Sequence, residues 1–147
     1  MTKIMLYQDK YRDDMLFCLL LAKDVIGRNP SINEDLFDIE GAYFAKGDMF
    51  WLAVDEKERV VGMLGVHVVS PKDMWLKRFY IKPVEKRRGI GSRLLLQAEE
   101  FAASKGITSI HTRFADDYIE AAEFYPAKGF TISDRHEGLN HFVKVLC

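Results

Sequence analysis

The chain predicts an α/β fold of the α+β type, a mixed sheet of about seven strands flanked by about four helices. Three observations carry that expectation. Apolar residues recur at helical spacing over residues 11–26 and 92–105, whereas residues 50–54, 60–69 and 74–81 are compact apolar runs of strand type. Turns that are charged or carry proline, at residues 55–59 and 70–73, divide those runs into consecutive strands. A basic bend with two glycines, Lys86-Arg87-Arg88-Gly89-Ile90-Gly91-Ser92, then joins the third run to an amphipathic helix.

Residues 4–7 are a short strand candidate, and the dense apolar spacing of residues 11–26 makes a helix that Gly27 and Pro30 stop. Asn33 is placed to cap a second helix with Leu36, Ile39, Tyr43 and Phe44 on one face and its end near Gly47. Residues 50–54 and 60–69 form a hairpin across the charged turn, the second arm carrying Gly62 and Gly65. The turn Ser70-Pro71-Lys72-Asp73 leads into residues 74–81, and Pro83, which has no N–H to give a ladder, ends that strand. In the helix over residues 92–105, Leu95, Ala98, Glu99 and Ala102 keep the helical period, and Gly106 closes it. Residues 107–114 read as a strand, 118–128 as a helix closed by Gly129, and 130–133 with 141–146 as a terminal pair of strands.

A chain of 147 residues fits one domain, taken as residues 1–147, and buries roughly two-thirds of its unfolded surface. With 48% hydrophobic and 29% charged residues it has the composition of a soluble globular protein. A net charge of −1 argues against a broadly basic nucleic-acid binder and makes any positive field local. The longest apolar run, residues 15–22, falls short of the roughly 18 residues a membrane helix needs. Met1-Thr2-Lys3-Ile4 lacks the order of a signal peptide, so a cytoplasmic location is expected. Cys18 and Cys147 make neither a disulfide framework nor a CxxC motif, and no histidine has ligand spacing with another His or Cys, so no metal is expected.

The basic bend reads as an anion cradle. Gly89 and Gly91 allow positive φ and close backbone approach, and the first amides of the following helix have no intrahelical acceptor. Such amides, aided by the helix dipole, suit a phosphate or pyrophosphate, and Lys86, Arg87, Arg88 and Arg93 add charge. A dinucleotide fingerprint is excluded because Leu94 occupies the place of its third glycine and the strand ends too far upstream. The Gly-Lys-Ser or Gly-Lys-Thr of a Walker loop is absent.

Lys86-Arg87-Arg88-Gly89-Ile90-Gly91 resembles the signature of the GNAT superfamily of acyl-CoA-dependent N-acetyltransferases: Arg or Gln, two residues, Gly, one residue, then Gly or Ala. Lysine at the first position keeps the charge but not the planar fork of arginine. The resemblance covers nearly the whole chain: residues 50–65 look like the family's second and third strands, Leu76-Lys77-Arg78-Phe79-Tyr80-Ile81-Lys82-Pro83 like its fourth, and Ala122-Glu123-Phe124-Tyr125 with Lys128-Gly129-Phe130 like its late helix and sixth strand. It implies a central sheet splayed between the fourth and fifth strands, with the pantetheine of acetyl-CoA in the gap. Backbone groups at Phe79, Tyr80 and Ile81 then pair with pantetheine, and residues Lys86, Arg87, Arg88, Gly89, Ile90, Gly91 and Ser92 hold the pyrophosphate. An amide near Phe79 polarises the thioester carbonyl, a donor whose removal typically costs ~3 kcal/mol of barrier.

The resemblance also implies an acid and a base. Tyr125 matches the family's general-acid tyrosine, against the plainer alternative of a packed core residue, and Pro126 next to it could kink the helix. Where many relatives carry an asparagine seven residues earlier this chain has Tyr118, with Asp116 and Asp117 alongside as N-cap candidates. His67, in the third strand, is the candidate base; His111, in the fifth, and His136 and His141 have weaker claims. A covalent route through Cys18 or Cys147 is unattractive because neither has an evident base nearby. Residues 1–48 carry nine acidic residues against six basic, which would suit a small cationic amine as acceptor, but solvated outer faces at Asp13, Asp14, Asp35 and Asp38 are the better account of the acids. Homodimerisation is implied by analogy. The function expected is acetyl transfer from acetyl-CoA to a primary amine of a small molecule or peptide, with a non-catalytic acyl-CoA-binding module as the alternative and a nucleic-acid binder using Arg87, Arg88 and Arg93 as the remote rival.

Overall fold

The computed structural model describes residues 1–85 and 88–146. In chain order it contains β1 (Lys3–Leu6), α1 (Arg12–Val25), α2 (Ile39–Ala42), β2 (Met49–Val54), β3 (Val60–Val68), β4 (Asp73–Ile81), α3 (Ile90–Ser104), β5 (Ser109–Ala115), α4 (Ile119–Ala127), β6 (Thr131–His136) and β7 (Leu139–Val145). The strands make a seven-stranded mixed sheet in the order β1-β2-β3-β4-β5-β7-β6, the fold class that the pattern of elements predicts. Contacts divide the chain into two compact units, Met1–His67 with Lys77–Ala98 and Val68–Leu76 with Glu99–Cys147.

In the first unit, β1 and β3 flank β2 in antiparallel register. The helix α1 turns Met15, Cys18, Leu19 and Ala22 inward at three- and four-residue spacing, onto a core that includes Leu36, Ile39, Tyr43, Phe50, Leu52 and Met63. β2 and most of β3 are buried residue after residue, which explains why both read as continuous apolar runs. The second helix departs from expectation. Instead of one helix it is the four-residue α2 between two short 3-10 turns, Glu34–Phe37 and Phe44–Lys46. Asn33 does not cap it: its Oδ1 accepts from the buried Lys23 Nζ at 3.1 Å, and Lys23 also donates to the Ser31 carbonyl at 2.7 Å. Asp38 is the cap, accepting from the Gly41 N–H at 3.0 Å.

In the second unit, residues Asp73 to Trp75 of β4 pair in parallel with Ser109 to His111 of β5. β7 then pairs antiparallel with β5 along its whole length and with β6 across a bulge at Ser133. This last hairpin is longer than expected, because Glu137 and Gly138 both adopt positive φ, 50° and 77°, the geometry of a tight two-residue turn.

Candidate active site

The start of α3 is set by Gly89, whose φ of +77° lies in the left-handed region, with no atom of the described residues beyond its chain neighbours within 4 Å of where a Cβ would stand. Arg93 N–H returns to the Gly89 carbonyl at 3.1 Å, so the amides of Ile90, Gly91 and Ser92 occupy the first helical turn, where no intrahelical acceptor exists. Gly91 is helical, so the left-handed turn is the work of Gly89 alone and the helix starts two residues earlier than its apolar spacing predicts. What brings this turn to the sheet is Gly62 on β3. A Cβ there would meet Ile81 Cδ1 at 3.0 Å, Leu94 Cδ1 at 3.2 Å and Ile90 Cγ2 at 3.3 Å, so a bare backbone lets α3 and the end of β4 close on β3 together. The Lys82 N–H then donates to the Val61 carbonyl at 2.8 Å and fixes the exit from β4.

The charges divide. Arg88 is exposed and lies 3.6 Å from Glu85. Arg93 donates to the Thr2 carbonyl at 2.9 Å and braces the N-terminal segment instead of extending the basic bend. Lys86 and Arg87 lie outside the described residues.

Upstream in β4 the alternation of buried Met74 and Leu76 with more exposed neighbours breaks down at Arg78, which holds a φ of +54°. Its guanidinium donates from Nε and Nη2 to both carboxylate oxygens of Asp35, at 3.1 to 3.2 Å, and Tyr43 Oη donates to the same carboxylate at 2.6 Å. Burial alone would raise the Asp35 carboxyl, but the hydrogen bonds from Arg78 and Tyr43 outweigh it and hold it below the ordinary carboxylate range. Phe79, Tyr80 and Ile81, the expected pantetheine-binding residues, follow immediately and are half-buried.

His67 stands near the end of β3. Its Nδ1–H donates to Asp48 Oδ2 at 2.8 Å, and its ring stacks on Tyr43 with centroids 4.6 Å apart and planes 6° from parallel. A carboxylate can only accept, so in the neutral form of the ring the proton sits on Nδ1 and the lone pair on Nε2, which no described residue engages. The side chain is 28% exposed, enough to meet a ligand. Sequence reasoning passed over Asp48, because the pair depends on the register of the folded hairpin: after a one-residue shift between Ala53 and Val54, Met49 stands opposite Val66 and Asp48 therefore opposite His67.

In the second unit, Tyr125 is buried in α4, stacked on Phe114 at 5.5 Å and edge-on to Phe130 at 5.2 Å. Burial pushes its phenol well above the ordinary value, and a hydrogen bond from Thr112 offsets this only in part, so the hydroxyl stays protonated through neutral pH. Pro126 falls in the last turn of α4, and the helix runs on to Ala127. His111 donates from Nε2 to Asp73 at 2.8 Å, and its Nδ1 lies 2.9 Å from His141 Nε2. Both rings stack on Trp75, over which Arg113 also sits. Asp116 is not a cap; it accepts from Arg135 at 2.6 Å and Asn140 at 2.7 Å and ties the β5–α4 connection to the last hairpin. His136 is an exposed residue 3.7 Å from Glu137. Burial pushes the Cys18 thiol up to about 12, which disfavours a thiolate nucleophile there, and Cys147 lies outside the described residues. Among the described residues there is no cluster of three or more His, Cys, Asp or Glu able to hold a metal, and no helix long and apolar enough to cross a membrane.

Residues 11–130 match the model of the acetyltransferase (GNAT) family. N-acetyltransferase 8 of Homo sapiens is 28% identical over 102 residues, covering 65% of this chain and 44% of that protein, so the match spans less than half of the relative's length. Among solved structures, an acetyltransferase of the GNAT family from Staphylococcus aureus Mu50 superposes with a TM-score of 0.90 at 22% identity, covering 100% of both chains. A GNAT family acetyltransferase from Elizabethkingia anophelis, solved with acetyl-CoA bound, superposes with a TM-score of 0.72 at 16% identity over 99% of this chain and 98% of that one.

Proposed function

This chain belongs to the acetyltransferase (GNAT) family, and on that premise we propose that residues 1–147 form one N-acetyltransferase domain, transferring an acetyl group from acetyl-CoA to a primary amine of a small molecule or peptide by direct attack in a ternary complex. The observation that carries this reading is the left-handed turn at Gly89 that leads into the first-turn amides of α3, which have no intrahelical acceptor. Those of Ile90, Gly91 and Ser92, with the charges of Lys86, Arg87 and Arg88, suit the diphosphate of CoA, and the open space at Gly89 admits it. The backbone of Phe79, Tyr80 and Ile81 takes the pantetheine, and the Phe79 amide polarises the thioester carbonyl. The acetyl-CoA carried by the Elizabethkingia neighbour supports the choice of donor.

The amine nitrogen attacks the carbonyl carbon and the carbon–sulfur bond breaks; counted from the ammonium form, the nitrogen sheds two protons, one to a protein base and one to solvent, while the departing thiolate gains one. A primary amine is mostly protonated at neutral pH, so its attack needs a base. His67 Nε2, held by Asp48, takes the amine proton directly or through one water, while Tyr125 donates a proton to the departing thiolate.

Calorimetry with CoA and acetyl-CoA, joined to thiol release over a panel of polyamines, amino acids and arylamines, tests the reading. The expected result is heat on adding either CoA species, its loss in Gly89→Val, and amine-dependent thiol release. Heat without thiol release favours a binding module. No heat at millimolar CoA, unchanged by Gly89→Val, overturns the proposal.

A further inference from the structure

We propose that Asp35 is a positioning residue for acyl transfer: its carboxylate, clamped to Arg78, holds the left-handed turn in β4 that aims the backbone at Phe79. The inference rests on the reading of Phe79 given above and deepens it.

An arginine at a φ of +54° is unfavourable, because its Cβ crowds the carbonyl that follows, and inside a strand it also interrupts the pleat. Something must hold it there. Asp35 engages the guanidinium along its Nε–Nη2 edge, Nε at 3.1 and 3.2 Å and Nη2 at 3.1 Å, in an ion pair whose side chains are only 20% and 30% exposed. The carboxylate is itself anchored. It sits in the 3-10 turn Glu34–Phe37 beside the fully buried Leu36, and it accepts from Tyr43, whose ring is also fully buried. Burial and then Asp35 itself keep the Tyr43 hydroxyl protonated, so this third contact persists across the working pH range. The same Tyr43 ring carries His67, so one buried aromatic supports both the proposed base and the clamp on the strand. A tie that served only to fasten the 3-10 turn to β4 would not require left-handed backbone at the arginine, and that conformation is where the positioning role can be read.

Arg78→Ala and Arg78→Gly both delete the guanidinium, but only alanine keeps the Cβ that penalises positive φ. In the chain of residues 1–147 at saturating acetyl-CoA, with thiol release measured on the fastest amine of the panel, or on water if no amine accepts, kcat of Arg78→Ala falls about tenfold, equal to about 1.4 kcal/mol of barrier. Arg78→Gly stays within about threefold of the wild-type rate, since glycine adopts the turn unaided. Asp35→Asn falls as Arg78→Ala does, and adding Arg78→Gly to it restores the rate. Calorimetric affinity for CoA falls by less than kcat does, because the diphosphate contacts at the start of α3 lie outside the clamp. Equal losses in the two Arg78 variants overturn the clamp, as does a wild-type rate in Asp35→Asn. If circular dichroism shows Asp35→Asn unfolded, the Arg78 pair decides. A wild-type protein that neither binds CoA nor releases thiol sinks the functional reading and this inference together, whereas normal turnover with indistinguishable Arg78 variants sinks the clamp alone.

Discussion

His67 in the first unit and His111 in the second begin from the same local arrangement and end with different chemistry. Each donates one ring N–H to an aspartate at 2.8 Å, and each lies flat on a larger aromatic ring, Tyr43 for His67 and Trp75 for His111. In both, the carboxylate decides which nitrogen carries the proton. The difference lies at the other nitrogen. His111 Nδ1 accepts from His141 Nε2 at 2.9 Å, whereas no described residue engages His67 Nε2. A lone pair used within the fold cannot take a proton from a substrate without breaking a bond, so His67 suits a base and His111 suits a tie between strands. On the proposed mechanism, what separates a catalytic histidine–aspartate pair from a structural one is whether its outer nitrogen is already engaged within the fold.

The largest test of that difference is to remove each ring. His67→Gln is expected to lower amine-dependent thiol release by about a hundredfold or more, with CoA affinity held, while His111→Gln stays within about threefold. Equal losses would erase the distinction. Tyr125→Phe asks whether the second unit contributes a reacting group through a phenol and not through a histidine: kcat is expected to fall roughly ten- to a hundredfold while calorimetric CoA binding persists. A rate unchanged in Tyr125→Phe leaves that residue a core aromatic. Asp48→Asn keeps the size of the partner but not its preference for accepting, so roughly a tenfold loss of kcat is expected, smaller than that of His67→Gln. If Asp48→Asn matches the wild type, the carboxylate does not set the tautomer that matters.

The smallest expected effect is on stability and belongs to His141. Burial, then the neighbouring His111 and Arg113, lowers its pKa, so the fold prefers the neutral ring. For a base with a lowered folded-state pKa, the unfolded chain binds more protons, so the contribution is full above the ordinary histidine range and is lost as pH falls from about 7 toward 5. Thermal melts over that window should show Tm declining with acid, and His141→Gln should flatten the decline. A slope that survives His141→Gln would place the titrating group elsewhere.

Much of this was legible in the residues. The apolar run of β2, the charged turn after it and the long β3 placed the hairpin, but not the register that sets Asp48 against His67, which depends on a one-residue shift between Ala53 and Val54. Gly89 announced the left-handed entry to α3. The second helix was misread because its three- and four-residue apolar spacing is shared by a chain of short turns, and because Asn33, an apt cap locally, is claimed by the buried ammonium of Lys23. Arg93 looked like part of the basic bend, yet its side chain is long enough to reach the Thr2 carbonyl instead.

By itself the sequence determined the family and all the elements in their order except the second helix, because period, turn residues and the glycine signature act over a few neighbouring positions. Only the tertiary structure decided that Arg78 bends β4 under the hold of Asp35, that His67 keeps a nitrogen open, and that His111 spends both of its own. Each of these depends on which polar atoms meet across long stretches of chain, and hydrogen bonds between distant residues leave no period in the sequence that makes them.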